Sequence, residues 1–181
     1  IKIFKLSKFG IIFSMLLNIF TDQPFQVAYF FNYNVKRKIK KYLLIINPDS
    51  IYCQLIRVAE YIKDEFINKT IDYQDAFSKG AERRIDKVPF YMKPFFWIES
   101  KRVLYYESLI YEYFDKKIII SVPDRDLIFH PDRNKIDVIP NGVEPFEGDT
   151  STFIKEYDVL FTGNMSYPPN VDAVEFIAEK I

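Results

Sequence analysis

The stretch IDVIPNGV, residues 136–143, decides how the chain is organised. Its apolar residues alternate up to Pro140, and Pro140, Asn141 and Gly142 then stop the strand. Asn-Gly after an alternating strand also predicts a β-hairpin, because both residues tolerate a positive φ. A hairpin needs a second strand at once, whereas residues 144–149, EPFEGD, supply two chain breakers and three acids. A hinge between two α/β units is therefore favoured, with the hairpin as the alternative.

Strand and helix patterns alternate on both sides of this hinge. Strands are predicted at residues 1–4, 50–55, 116–122 and 157–163, and at 68–75, where a short strand runs into an acidic loop. Helices are predicted at 9–20, 32–46, 57–66, 76–85 and 95–114, and again from Pro168-Pro169-Asn170. This alternation predicts βαβ units and a Rossmann-like parallel sheet, which is an α/β fold. The apolar stretch 9–20 is too short to span a bilayer and predicts a buried helix.

Composition narrows the class of protein. The chain has 181 residues, of which 49% are hydrophobic, so it can bury a substantial core and is not disordered. Its 25 basic and 25 acidic residues cancel, and nothing in the overall charge indicates a nucleic-acid partner. Cys53 is the only cysteine, which excludes an internal disulfide and suits a reducing compartment. The chain begins at Ile1 without Met and ends inside a predicted helix, so we expect a piece of a longer protein.

Ligands of a parallel sheet gather beyond the carboxyl ends of its strands. Three loops lie there, at residues 72–75, 121–126 and 163–169. Asp124 and Asp126 have the spacing with which metal-dependent sugar transferases hold a divalent ion. Both acids also stand at the start of a predicted helix, 125–129, where the helix dipole favours them, and this capping role is the favoured interpretation.

Three further features have modest interpretations. Gly163 follows a predicted strand and precedes a helix, an arrangement that lets a phosphate approach backbone N–H groups, although any tight turn could use a glycine. His130 is the only histidine and lies beside Pro131, so a structural role is favoured over catalysis. The basic run 36–41, KRKIKK, could touch an anionic membrane surface or a phosphate, but a solvated helix face is favoured.

Taken together, these segments resemble a known family. VIPNGV at 138–143 resembles the "vIPNGVD" link of family 4 glycosyltransferases of the GT-B fold. LFTGNMSYPPNVDAV at 160–174 is similar to the "vFTGxMdYxPNVDAV" signature of a subgroup associated with exosortase and exopolysaccharide systems. Residues 99–113 resemble its "REarrLlxYErxla" helix, and Phe114-Asp115 with Ser121 match its "FDxxxxVS" strand. Residues 72–75 correspond loosely to its "DxxDxDS" loop.

The resemblance implies a partial GT-B fold. Residues 1–143 would form most of the N-terminal, acceptor-side domain, and 144–181 the start of the C-terminal domain that binds the nucleotide-sugar. The implied activity is a retaining transfer of a sugar from a nucleotide-sugar donor to a glycan or lipid-linked acceptor. Exopolysaccharide or cell-surface glycan synthesis would be its setting. The implied protein is cytoplasmic and needs no metal or other cofactor, with peripheral contact at the inner face of the membrane as an added expectation.

The resemblance also implies roles for individual residues. Asp72 and Asp75 would act near the transferred sugar, and Gly163 and Asn164 would line the donor side of the cleft opposite them. The family's glycine-rich loop and its later E-x₇-E region are not among these 181 residues, so we expect no turnover from them alone. A non-catalytic binding module on the same fold is the alternative. The absence of G-x-G-x-x-G argues against a Rossmann-type oxidoreductase.

Overall fold

The computed structural model describes residues 1–144, 157–166 and 168–181. The predicted polar linker, residues 144–156, lies outside this part of the chain except for the exposed Glu144. The chain divides into two compact units, Ile1–Gly142 and Val143–Ile181, and each is described by itself.

The first unit is built on a parallel sheet. Its strands are β1 (Ser50–Gln54), β2 (Asn68–Asp72), β3 (Lys116–Ile119) and β4 (Asp137–Val138), in the order β1-β2-β3-β4. All three pairings are parallel, with Cys53 beside Ile71, Asp72 beside Ile118 and Ile119 beside Val138. This all-parallel sheet with its helices confirms the predicted α/β class with a Rossmann-like sheet.

The helices lie largely where the apolar periodicity predicts them. They are α1 (Lys8–Asn18), α2 (Phe25–Phe30), α3 (Tyr33–Ile46), α4 (Phe77–Arg84), α5 (Lys93–Tyr111), α6 (Val122–Leu127) and, in the second unit, α7 (Pro168–Lys180). Short 3₁₀ segments lie at Ile56–Tyr61, Ile85–Lys87, Phe90–Met92 and Arg133–Lys135. The predicted helix at 57–66 is thus a 3₁₀ segment that ends early.

Local capping explains the sharpest helix boundaries. The side chain of Asn32 accepts a hydrogen bond from Val35 N–H at 3.2 Å and starts α3. Asn47, in the left-handed region at φ 42°, ends it. The six-residue α2 has no cap of its own; Glu99 of α5 accepts from the N–H groups of Phe25 and Gln26 at 2.9 and 3.1 Å. A distant carboxylate therefore stabilises this short helix.

The core lies between the sheet and α5. The apolar periodicity of α5 predicts one stripe of Phe96, Val103, Tyr106, Ile110 and Tyr113. Val103, Tyr106 and Ile110 are buried, whereas Phe96 is partly exposed and Tyr113 is 37% exposed. The three buried residues belong to one cluster with Ile71 and Ile119 of the sheet. Cys53 also lies in this core, and burial raises the pKa of its thiol to about 12.

Three predicted elements differ from the structure. Residues 1–4 form no strand; they lie beside α3, with the rings of Phe4 and Tyr42 6.3 Å apart. Residues 157–163 form no strand either, and the described part of the second unit offers no partner strand to hydrogen-bond with. Helix α1 is present but is not buried: Phe9 is 88% and Phe13 64% exposed. Its neighbour α2 is too short to cover it.

No helix among the described residues is both long enough and apolar enough to cross a bilayer.

Candidate functional site

The candidate site is the carboxyl edge of the sheet in the first unit. β1 ends at Gln54, β2 at Asp72, β3 at Ile119 and β4 at Val138, and parallel strands end at the same edge. The segment 72–78 runs from the last residue of β2 to the first turn of α4. It carries Asp72 and Asp75, the two acids for which the resemblance implies catalytic roles. The structure therefore places both at the edge where parallel sheets bind ligands.

Asp72 is buried and its hydrogen-bonding capacity is largely used by neighbours. One carboxylate oxygen accepts from Gln74 N–H at 3.0 Å, and the other accepts from the Tyr52 hydroxyl and the Gln74 side-chain amide. The hydrogen bond to Asp72 raises the pKa of Tyr52 to about 12, with loss of hydration and the negative charge of Asp72 adding to the effect. Asp72 thus fixes the end of β2 to its neighbour β1.

Asp75 is held quite differently, on the exposed outer side of the loop. Gln74 takes a φ of 64°, and Asp75 N–H then donates to Tyr73 C=O at 2.9 Å, which closes a tight turn. The surrounding protein removes part of the hydration of Asp75 and raises its pKa; Asp124 raises it further and Arg57 opposes the shift. Of the two predicted acids, Asp75 is the one exposed to solvent.

Arg57 is a member of this edge that sequence reasoning missed. It follows the end of β1, where Leu55 takes a φ of 72°. Its guanidinium lies 4.6 Å from the ring centre of Phe77, and its Nε donates to Gln26 at 3.2 Å. Partial burial lowers its pKa, as does the charge of Arg84, while Asp75 raises it. Its position directly after a strand of the predicted sheet was the signal available in the sequence.

Asp124 serves the start of α6, as the capping interpretation predicts. Its N–H donates to the Ser121 hydroxyl at 3.2 Å, and that hydroxyl is hydrogen-bonded to its carboxylate, which makes a reciprocal cap. The carboxylate also accepts from Ala76 N–H at 3.5 Å. Asp126 is bound by Arg125 at 3.0 Å instead. Within the described ranges, no group of three or more His, Cys, Asp or Glu side chains could hold a metal ion.

Glu107 of α5 lies beneath the same loop and is fully buried. Its backbone C=O accepts from the Tyr73 hydroxyl at 3.1 Å, and its carboxylate accepts from Ser78 N–H at 3.1 Å. Burial raises the pKa of Glu107 to about 7, although hydrogen bonds from Ser78 and Phe77 act in the opposite direction. One α5 residue therefore anchors both ends of the loop that presents Asp75.

His130 has a structural role, as its sequence position suggests. Its ring stacks on Tyr111 at 3.7 Å, Nδ1 accepts from Asp132 N–H at 3.1 Å, and Nε2 lies 2.7 Å from Glu112. Because Nδ1 is an acceptor, Nε2 carries the hydrogen and donates to Glu112.

Gly163 and Asn164 lie in the second unit, before α7. A Cβ on Gly163 would lie 2.8 Å from Asn170 Nδ2 and from Phe161 Cε1, so a side chain there would have to displace one or both of these side chains. Asn164 Oδ1 accepts from Ser166 N–H at 2.9 Å, and Asn164 C=O accepts from Asn170 Nδ2 at 2.9 Å. These contacts make a compact turn at the start of a helix. That the turn faces Asp72 and Asp75 stays a prediction.

Pro140, Asn141 and Gly142 are exposed, and the boundary between the two compact units falls directly after them. Neither Asn141 nor Gly142 has a positive φ, and no strand follows β4 at residues 139–144. The alternative hairpin is therefore not formed in this stretch, and a hinge role for the three residues stays a prediction.

No protein-family model, curated protein or solved structure matches the chain.

Proposed function

We propose that this chain is part of a GT-B glycosyltransferase that moves a sugar, with retention, from a nucleotide-sugar to a glycan or lipid-linked acceptor. Cell-surface glycan or exopolysaccharide synthesis is the proposed setting, in the cytoplasm with peripheral contact at the membrane. The observation that carries the proposal is Asp75: a solvent-facing carboxylate of raised pKa at the carboxyl edge of a parallel sheet, with Arg57 beside it. Groups of this kind occur at reaction centres.

The proposed division of labour follows from the local geometry. Asp75 acts at the transferred sugar, and Asp72 holds the end of β2 that positions it. Gly163 and Asn164 receive the donor phosphates, since their turn opens the thirteen-residue helix α7, whose N-terminus favours an anion. Basic side chains and backbone donors take the place of a metal. Arg57 is available to the acceptor or to the transferred group.

A non-catalytic binding module is the second candidate. The observation that favours it is the state of Asp72, whose oxygens are already occupied by Tyr52 and Gln74. Were Asp75 equally dispensable, the edge would bind a ligand without transforming it.

Replacing Asp75 tests the proposal in the complete gene product, with nucleotide release from a panel of nucleotide-sugars as the readout. We expect Asp75→Asn to lower kcat at least about 100-fold, the scale of a lost acid–base group, and to change the donor KM little. Asp126→Asn is the matched control, because it neutralises an exposed acid of the neighbouring α6. Equal, measurable kcat values for the two variants would contradict the role of Asp75, whereas no nucleotide release from the wild type with any donor would favour the binding module.

Gly163→Val tests the donor side separately. The added side chain should displace Asn170 and block the turn, which raises the donor KM at least about tenfold, with a smaller change in kcat. Gly80→Ala on α4 is the control, because a Cβ there meets no atom within 4 Å. Thermal melting followed by circular dichroism verifies that each variant is folded. A folded Gly163→Val variant with the wild-type donor KM would contradict the assignment.

A further inference from the structure

A groove of about 600 Å³ lies between the N-terminal residues 2–5 and α3. We name it the lysine groove, because Lys2 and Lys5 on one side face Lys38 and Lys41 on the other. Its remaining lining residues are Ile3, Phe4, Val35, Tyr42 and Ile45, and no acid of the described ranges lines it. The N-terminal segment is held there by aromatic contact of Phe4 with Tyr42, over whose ring Lys2 lies at 6.0 Å.

The structure divides the basic run of α3 into two faces. Lys36 and Lys40 are four residues apart and lie on one face of α3. Both pair with acids, Lys36 with Asp64 at 2.8 Å and Lys40 with Glu65 at 3.9 Å. Lys38, Lys41 and Ile45 share the other face and line the lysine groove. None of the four groove lysines forms an ion pair within the described part of the chain. A merely solvated helix face does not account for this second face, since the fold brings two more lysines to it.

Apolar side chains surround the lysine groove. Ile3 and Ile45 line it and are 75% and 78% exposed, and Leu44, the residue before Ile45 on α3, is 77% exposed. Exposed aliphatic residues mixed with lysines form the pattern of surfaces that lie in a lipid interface: the apolar groups enter the acyl boundary, and the cations meet the headgroups. A soluble phosphate would be met by the lysines alone and would leave these isoleucines and the leucine exposed.

We propose that the lysine groove is the surface by which this chain contacts an anionic phospholipid bilayer. Four like charges gathered around one groove repel each other, and a layer of lipid phosphates and carboxylates supplies the missing counter-charge. The proposal deepens the proposed function and takes its biological meaning from it, because a lipid-linked acceptor lies at such a surface. Its physical basis is independent of sugar transfer.

Vesicle co-sedimentation tests the proposal with the complete chain. Vesicles of phosphatidylcholine alone are compared with vesicles that also contain phosphatidylserine, at low and at physiological salt. We expect binding to the anionic vesicles only, weakening as salt increases. Lys38→Gln combined with Lys41→Gln should lower the partition coefficient about 30-fold, since each lysine near an anionic surface contributes about a fivefold effect. Ile45→Ser should lower binding at every salt concentration.

The matched control removes two charges elsewhere, with Lys101→Gln on α5 and Lys116→Gln on β3. If this control lost as much binding as the groove variant, net charge and not the lysine groove would be responsible, and the proposal would fail. Equal binding to neutral vesicles, or none to anionic ones, would also overturn it. Displacement by inorganic phosphate at matched ionic strength would instead identify a soluble-phosphate site. Nucleotide release measured without vesicles reports on the proposed transferase separately.

Discussion

The carboxyl edge of the sheet and the lysine groove are two charged regions of the same compact unit, and they treat charge in opposite ways. At the edge, the charged groups interact with other groups of the fold: the charge of Arg57 opposes the raised pKa of Asp75. The carboxylate of Asp124 accepts from Ala76 N–H, and the buried carboxylate of Glu107 accepts from Ser78 N–H. In the groove, four lysines share one space without an acid. Charged groups that have partners within the fold influence one another's protonation and hold the geometry of the edge. Charges left unbalanced indicate a partner outside the fold.

The largest effect should come from Glu107, which supports the edge from below. Glu107→Ala leaves Ser78 N–H without its partner and opens a cavity, so we expect the free energy of unfolding to fall by about 3–5 kcal/mol. Hydrogen exchange at residues 73–78 should accelerate as well. Urea unfolding gives the first quantity, with the exposed Glu82→Ala as the control, expected to cost less than about 1 kcal/mol. A similar small cost for Glu107→Ala would remove the anchoring role.

The pH dependence of stability should also trace to Glu107. Its folded-state pKa of about 7 exceeds the ordinary value of 4.5 for a glutamate, so folding favours the protonated form. The resulting stabilisation is complete below the unfolded pKa and is lost as pH rises through the folded one. The free energy of unfolding of the wild type, measured relative to that of Glu107→Gln, should therefore fall by about 3 kcal/mol between pH 4.5 and 8. Urea titrations at stepped pH measure this, and parallel curves for the two proteins would contradict it.

The smallest effect distinguishes the two faces of α3. Lys36→Gln breaks an ion pair whose Asp64 is 54% exposed, so we expect a loss of at most about 1 kcal/mol. Lys38→Gln relieves repulsion within the lysine groove and should raise stability by roughly 0.3 kcal/mol. Thermal melts at low salt distinguish the loss of stability in Lys36→Gln from the gain in Lys38→Gln. High salt should reduce both changes. A loss from both variants would mean that the groove lysines are balanced after all.

Sequence reasoning succeeded where one local pattern decides the structure. The strands β1, β2 and β3 lie on short runs that are readable in the sequence, and α5 shows an apolar period. The cap of α3 acts within three residues, and the sequence narrows it to Asn32 or Asn34. The placement of Asp72 and Asp75 at the sheet edge follows from the strand alone. Short-range physics is sufficient for all of these features.

It failed where tertiary contacts decide. Residues 1–4 alternate too briefly to distinguish a sheet edge from the side of α3, and Phe4 packs on Tyr42. The exposure of Phe9 depends on how short its neighbour α2 is. Glu107 reaches Ser78 across 29 residues and Glu99 reaches Phe25 across 74, and no spacing in the sequence reveals such partners.

The burial of Cys53 has a practical consequence for spectroscopy. The thiolate is the species that reacts with maleimides, and a thiol that is 4% exposed with a pKa of about 12 supplies almost none of it at neutral pH. The native chain is therefore a nearly silent background for site-directed labelling, and its cysteine can stay in place. Cysteines introduced at the exposed Asp126 and Ser166 would accept a fluorophore pair, and energy transfer between them would report the separation of the two units in solution.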